Sequence, residues 1–406
     1  MFILRSQQKS LKRQKDLTNS GTSTEVTSME KYVAKPTLHL IGIFHTIHNQ
    51  AYSHCAFTGK ALRFPKMLQT CGYSVIEYSN GNSESTANEK VVMLSAAELL
   101  DFTDSKNRNK ENFHGDLAAV GTPWHDEFEK RLLPAITARI KPGDIVCHPF
   151  GHAHGRLLSD FPKHIHVETG IGYPTTMTGT IKIFESYAWR HYHCGKDGRQ
   201  GSHYEYVIPN YFEIADWEPN YNPGSYIAFL GRIDTCKGLD TIYEIAKRTD
   251  KKIALCGQGD YTKWAHPNIE YMGPIHGNQR SVFMRNALCS IMPTNFIEPF
   301  GGSGVEGLLC GTPLVTTDYG AFTETVQQGI NGFRCKTLQE WLEAIDKVPT
   351  LDRKAIADRA RATYSLEACG VLYDKAFQQI SQLYDKGWYT LSPKYSAREK
   401  LTCTAN

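Results

Sequence analysis

The stretch Glu298-Pro299-Phe300-Gly301-Gly302-Ser303-Gly304-Val305-Glu306-Gly307 sets two carboxylates eight residues apart around a glycine-rich turn. An apolar run of strand length, Ala287 to Thr294, precedes it, and a helical pattern opens at Val305 and closes at Gly311. A glycine loop therefore runs into a helix start, where the first N–H groups lack an internal partner and the positive end of the dipole attracts an anion. Carboxylates beside an anion site have a different task, which is to accept hydrogen bonds from hydroxyls. A nucleotide sugar, with hydroxyls at both ends of a phosphate bridge, meets both demands. The plain alternative is a tight turn with both glutamates solvated.

Cations stand where such a ligand needs them. Gly231-Arg232-Ile233 follows the strand-like Tyr226 to Leu230, and Lys237-Gly238 opens the next helix. A guanidinium binds two phosphate oxygens at once and an ammonium acts as a point charge, so the pair suits a diphosphate. Two solvated surface cations are the alternative. Gly257-Gln258-Gly259 follows another strand, at 252–256, as a turn that lets backbone approach a ligand closely.

Positioning these residues requires strands whose ends meet at one edge. Buried strands are expected at 37–44, 74–78, 145–148, 164–168, 181–189 and 206–208, with helices at 59–71, 94–100 and 124–140. The segment Val167 to Tyr173 reads as a glycine-containing loop. After a polar stretch rich in Pro, Asn and Gly, a second series begins, with strands at 226–230, 252–256, 269–272, 288–293 and 313–316 and helices between and after them, the last at 367–383. The expected organisation is a flexible tail over 1–35, a Rossmann-like acceptor-side domain over 36–215, a linker over 216–224 and a Rossmann-like nucleotide-sugar domain over 225–380. Residues 381–406 are expected to cross back to the first domain. Two doubly wound α/β halves enclose a cleft at the carboxyl ends of their strands.

Taken in order, Gly231-Arg232, Lys237-Gly238, Gly257-Gln258-Gly259, Glu298 to Gly307, Gly311-Thr312-Pro313-Leu314-Val315, Phe322-Thr323-Glu324 and Asn331-Gly332-Phe333 resemble the retaining GT-B glycosyltransferases of family 4. The resemblance covers most of residues 226 to 335. It implies that Glu298 contacts the donor sugar hydroxyls, that Glu306 contacts the ribose, and that Arg232 and Lys237 hold the diphosphate. Gly231, Gly257, Gly259, Gly301, Gly302, Ser303 and Gly304 would complete the donor site. The first half is less similar. Val207-Ile208-Pro209-Asn210 and Asp144 to His148 look like family strand ends, but the loop 49–58 has no glycine pair. Val167 to Tyr173 lies where acceptor-facing segments occur in such folds.

Composition excludes several other classes. A net charge of +3 is too small to argue for a nucleic-acid partner. No run reaches the ~20 apolar residues of a membrane span, and the apolar stretch at the start is too short for a secretory signal, so a cytoplasmic protein is expected, with peripheral membrane contact left open. The 11 cysteines are scattered without a CxxC pair, which fits reduced thiols. Of the 16 histidines, 14 lie between His39 and His203, so metal binding has to be weighed in the first half. Pairs at i, i+2 on strands share a face without a defined third ligand, and there is no D-x-D pair. No metal and no resident cofactor are expected.

The activity these residues imply is transfer of a sugar from a UDP or GDP type donor to an acceptor hydroxyl, taken as a glycan, with retention and without metal. Arg232, Lys237 and the N–H groups around Gly302 to Gly304 would stabilise charge on the departing diphosphate. His148 or His152, at a strand end, would contact the transferred sugar or the acceptor; a satisfied structural histidine is the alternative. A GT-B epimerase or phosphorylase, and a non-catalytic nucleotide or glycan binder, are the rival readings.

Overall fold

The computed structural model describes residues 35–52, 55–104 and 115–383. The tail expected over 1–35 lies outside them but for Lys35, as do most of the segment 381–406 and part of the loop 49–58.

The first sheet is built from β1 (Leu38–Ile41), β2 (Val75–Ser79), β3 (Glu89–Val92), β4 (Ile145–His148), β5 (Ile165–Ile171), β6 (Ile181–Phe184) and β7 (Glu205–Val207). All pairings are parallel, in the order β3-β2-β1-β4-β5-β6-β7. Its central strands, such as β1 and β4, are buried along their whole length, which is why they read as unbroken apolar runs. Helices α1 (Ala56–Gln69), α2 (Ala96–Asp104), α3 (Pro123–Thr137), α4 (Arg156–Asp160) and α5 (Tyr187–Lys196) connect these strands.

The second sheet contains β8 (Tyr226–Leu230), β9 (Lys252–Cys256), β10 (Ile269–Gly273), β11 (Ala287–Met292), β12 (Leu314–Thr317) and β13 (Gly332–Cys335), parallel in the order β10-β9-β8-β11-β12-β13. Among its helices are α6 (Leu239–Ala246), α7 (Asn278–Arg285), α8 (Gly302–Leu309), α9 (Phe322–Thr325), α10 (Leu338–Lys347) and α11 (Arg353–Tyr364). In each sheet the strand order reverses once, between β1 and β4 and between β8 and β11. Those two reversals open crevices at the carboxyl ends of the strands.

Three expectations are corrected here. Residues 181–189 do not form one strand: Ser186 accepts the Trp189 N–H (3.1 Å) as a helix cap and turns the chain into α5. The segment Val167 to Tyr173 is not a free loop, because β5 runs buried to Ile171 and the Glu168 carboxylate accepts from Tyr173 Oη (2.9 Å), Met177 N (3.0 Å) and Thr180 Oγ1 (2.6 Å). Helix α12 (Leu366–Leu383) joins the first half, since Cys369, Tyr373, Phe377 and Ile380 share a core with Phe64, Tyr73 and Ile145. The crossing occurs at Ser365, which bridges to Phe212, and at Tyr364, whose carbonyl accepts the Phe212 N–H (2.8 Å). Among the described residues no helix is long and apolar enough to cross a membrane.

Candidate donor site at the second strand reversal

Beyond β8 the Asp234 carboxylate accepts the Cys236 N–H (3.0 Å) and holds the short turn Thr235–Lys237. Gly238 ends that turn with φ at 79°, and its α-carbon lies so close to β11 that an added Cβ would stand 1.8 Å from the Pro293 carbonyl. Asn295 N donates to the Cys236 carbonyl (2.8 Å), so the loops that follow β8 and β11 are fastened together. This brings Lys237 to Glu298, with Nζ 2.8 Å from Oε2 and 4.5 Å from the centre of the Phe296 ring. Both side chains are largely buried, at 15 % and 12 % exposure. An ammonium has three donors, and Glu298 takes one of them.

Helix α8 begins beside this pair. Gly301 precedes it with φ at 81°, and Gly302 faces open space, with nothing within 4 Å of where a Cβ would be. Gly304 serves packing instead: a Cβ there would meet Leu314 and Met292 at 2.7 and 2.8 Å. The N–H groups of the first turn, around Gly302 and Ser303, have no helical acceptor and form the anion-attracting end. Gly257 and Gly259 lie at φ of 148° and 137°, where a Cβ would stand 1.8 Å from the Gly231 carbonyl and 2.5 Å from the Ile233 carbonyl. Loop-to-loop packing therefore already requires both. Arg232 is exposed at the rim.

Glu306, one turn into α8, is buried and does not wait alone for a ligand. Arg280 of α7 forks it, with Nη2 2.7 and 2.6 Å from the two carboxylate oxygens and Nε 3.1 Å from Oε2. No local pattern announces this pair, because its partners lie 26 residues apart on different helices. Arg63 of α1 reaches the same region from the first half, its guanidinium 5.2 Å from the Phe212 ring. Burial lowers its affinity for a proton, and Tyr211 and Glu306 oppose that effect.

Direct contacts tie the first half to the Glu298 loop. Ser186 Oγ donates to the Pro299 carbonyl (2.6 Å), and Glu324 of α9 accepts the Tyr187 and Ala188 N–H groups (2.9 and 2.8 Å). The N-terminus of α5 is thus capped by a carboxylate from the opposite half. Below Ser186, Glu185 forms a buried ion pair with Lys60, whose Nζ also donates to the Gly170 carbonyl (2.6 Å).

The histidines divide. His148 is fully buried, its Nε2 3.0 Å from His166 Nδ1, and burial together with His166 drives its proton affinity far down. It is shielded from solvent and paired with His166. His152 is exposed, in the turn after β4. Nearby, His125, Glu129 and His154 bring ligand-type atoms within 4.8 Å of one another. An i, i+4 pair on the helix expected at 124–140 was the available signal for that group.

Residues 213–363 match the family model Glycosyl transferases group 1. An uncharacterized glycosyltransferase of Methanocaldococcus jannaschii is 26 % identical over 180 residues, covering 40 % of this chain and 50 % of that protein. A glycogen synthase of Mycobacterium tuberculosis is 24 % identical over 148 residues, covering 32 % and 35 %. The chain thus spans half or less of the length of these curated relatives. Among solved structures, sucrose-phosphate synthase from Thermosynechococcus elongatus superposes with a TM-score of 0.61 at 13 % identity, covering 85 % of this chain and 99 % of that one. HepE of Anabaena, crystallised with UDP and glucose, superposes with a TM-score of 0.58 at 14 % identity, covering 84 % and 100 %. The architecture is GT-B, two Rossmann-like domains with parallel sheets.

Proposed function

We propose, from the match of residues 213–363 to the group 1 glycosyltransferase family model, that this chain transfers a sugar from a nucleoside diphosphate sugar to an acceptor hydroxyl, with retention and without a metal bridging the diphosphate. The observation that carries this reading is the Lys237–Glu298 pair, at 2.8 Å, set beside the start of α8 at the β8/β11 reversal. Lys237 and the first N–H groups of α8 would take the charge that gathers on the departing diphosphate, while Arg232 draws the donor in from the rim. Glu298, oriented by Lys237, would hold the sugar hydroxyls, and Glu306, oriented by Arg280, the ribose.

Retention is supported by what the two carboxylates are doing. Each already has a cation on it, Lys237 or Arg280, so neither is poised as the free base that direct inversion would use. A leaving phosphate oxygen on the same face can accept the acceptor proton instead. On the first-half side, His152 rather than His148 is the histidine a ligand can reach. UDP sugars are the first donors to try, because HepE binds UDP.

A thermal-shift screen of nucleotide sugars tests the reading. A matching donor should raise the melting temperature, since a ligand of the folded state stabilises it by RT ln(1 + [L]/Kd). The shift should persist in excess chelator. A shift that disappears with chelator and returns with magnesium or manganese would contradict metal-free diphosphate binding.

A further inference from the structure

We propose that His125, Glu129 and His154 form a binding site for a divalent transition-metal ion, zinc in the first instance, in the first half of the molecule and separate from the donor site. His125 and Glu129 stand one turn apart on α3 and so share a face. His154 comes from the turn Gly151–His154 after β4, and the three ligand atoms lie within 4.8 Å of one another. Zinc bonds of about 2.0–2.2 Å to nitrogen and carboxylate oxygen require ligand separations of roughly 3.3–3.6 Å, so the hydrogen-bonded His154–Glu129 pair parts to admit the ion, releasing the proton it shares, while the wider separations close, both through small side-chain rotations.

The surroundings suit ligation. His154 is fully buried; its Nδ1 is hydrogen-bonded to the Glu129 carboxylate, a contact the ion would replace, and its Nε2 lies 3.1 Å from the Gly42 carbonyl. A metal-bound imidazole commonly has its other nitrogen fixed in this way. His125, 6 % exposed, has Nε2 2.8 Å from the Ala153 carbonyl, while its Nδ1 accepts the Gly121 N–H and lies beside Asp126 Oδ1, both at 3.2 Å. It gives up one of these contacts to take an ion. Phe44 and Phe128 pack edgewise or tilted against the rings, with centroids 4.8 Å from His125 and 5.3 Å from His154, which keeps that side dry.

The other side opens onto a cavity of about 380 Å³ lined by His125, Asp126, Glu129, Lys130, His152 and Arg156. Three protein ligands and one position open to a cavity form the arrangement in which zinc keeps an exchangeable water. Two imidazoles and one carboxylate favour zinc or a neighbouring transition metal over magnesium or calcium, which prefer all-oxygen shells.

The test uses the full chain, stripped with chelator, dialysed and titrated with zinc chloride, with bound metal measured by mass spectrometry. One equivalent should bind. Glu129→Gln and His125→Gln, checked for native circular dichroism, should each weaken binding by more than the roughly 10- to 100-fold that loss of an outer-shell partner costs. Cobalt substitution in the unaltered chain supplies a readout that needs no variant, with intense tetrahedral ligand-field bands expected. Absence of stoichiometric binding, unchanged affinity in a folded variant, or a solvent-like cobalt spectrum would overturn the site.

Discussion

Lys237→Ala is expected to lower kcat/KM by about 30- to 1,000-fold, corresponding to roughly 2–4 kcal/mol of lost transition-state stabilisation. The size follows from the setting. Lys237 is mostly buried, rests on Phe296 and is aimed by Glu298, so its charge acts where little water screens it. Arg232→Ala should cost less and act mainly through KM, in a salt-sensitive way, because that side chain is exposed at the rim. Glu298→Gln should lower turnover by about ten-fold or more while nucleoside diphosphate affinity stays nearly intact, since the carboxylate serves the sugar and not the phosphate. Kinetics of the three variants at low and high ionic strength check the assignment. Unchanged kcat in Lys237→Ala would remove Lys237 from the chemistry.

Removing the other motif carboxylate should show first as lost stability. Glu306→Ala leaves the Arg280 guanidinium, itself only 17 % exposed, without the partner that takes three of its contacts. Breaking a buried pair from one side costs roughly 3–5 kcal/mol, because the remaining charge is uncompensated. Replacing both residues, as Arg280→Met with Glu306→Met, should recover most of that loss. Glu306→Gln keeps an acceptor for the guanidinium and should preserve the fold better while weakening the nucleotide through the ribose. Chemical denaturation of the single and double variants measures the coupling directly. A double variant no more stable than Glu306→Ala would show that Arg280 and Glu306 do not depend on each other.

Much of the fold that positions this candidate site is legible in the residues alone, for physical reasons. Strands β4, β8 and β9 are bounded by turn residues and buried on both faces, so an apolar run marks their ends. The glycine loop before α8 carries its own conformational demand at Gly301. By contrast β13, Gly-Phe-Arg-Cys, is a short edge strand with too little apolar pattern to stand out. β3, Glu89–Val92, is likewise an edge strand with little burial, so its residues carry no strand pattern of their own. Residues 181–189 look like one strand because aromatic side chains continue past Phe184, and only the Ser186 cap interrupts them. Arg280 on Glu306, Glu324 on α5 and His154 on Glu129 are meetings of distant segments, fixed by the fold and by no local pattern.

The most direct test of the central claim is release of nucleoside diphosphate from a panel of nucleotide sugars, measured for the unaltered chain and for Glu298→Gln and Lys237→Ala. At least one donor should be turned over, slowly with water and faster with a glycan acceptor, and both folded variants should lose most of that release. A donor that is turned over equally well by both variants, or a panel in which no donor either binds or reacts, would contradict the account.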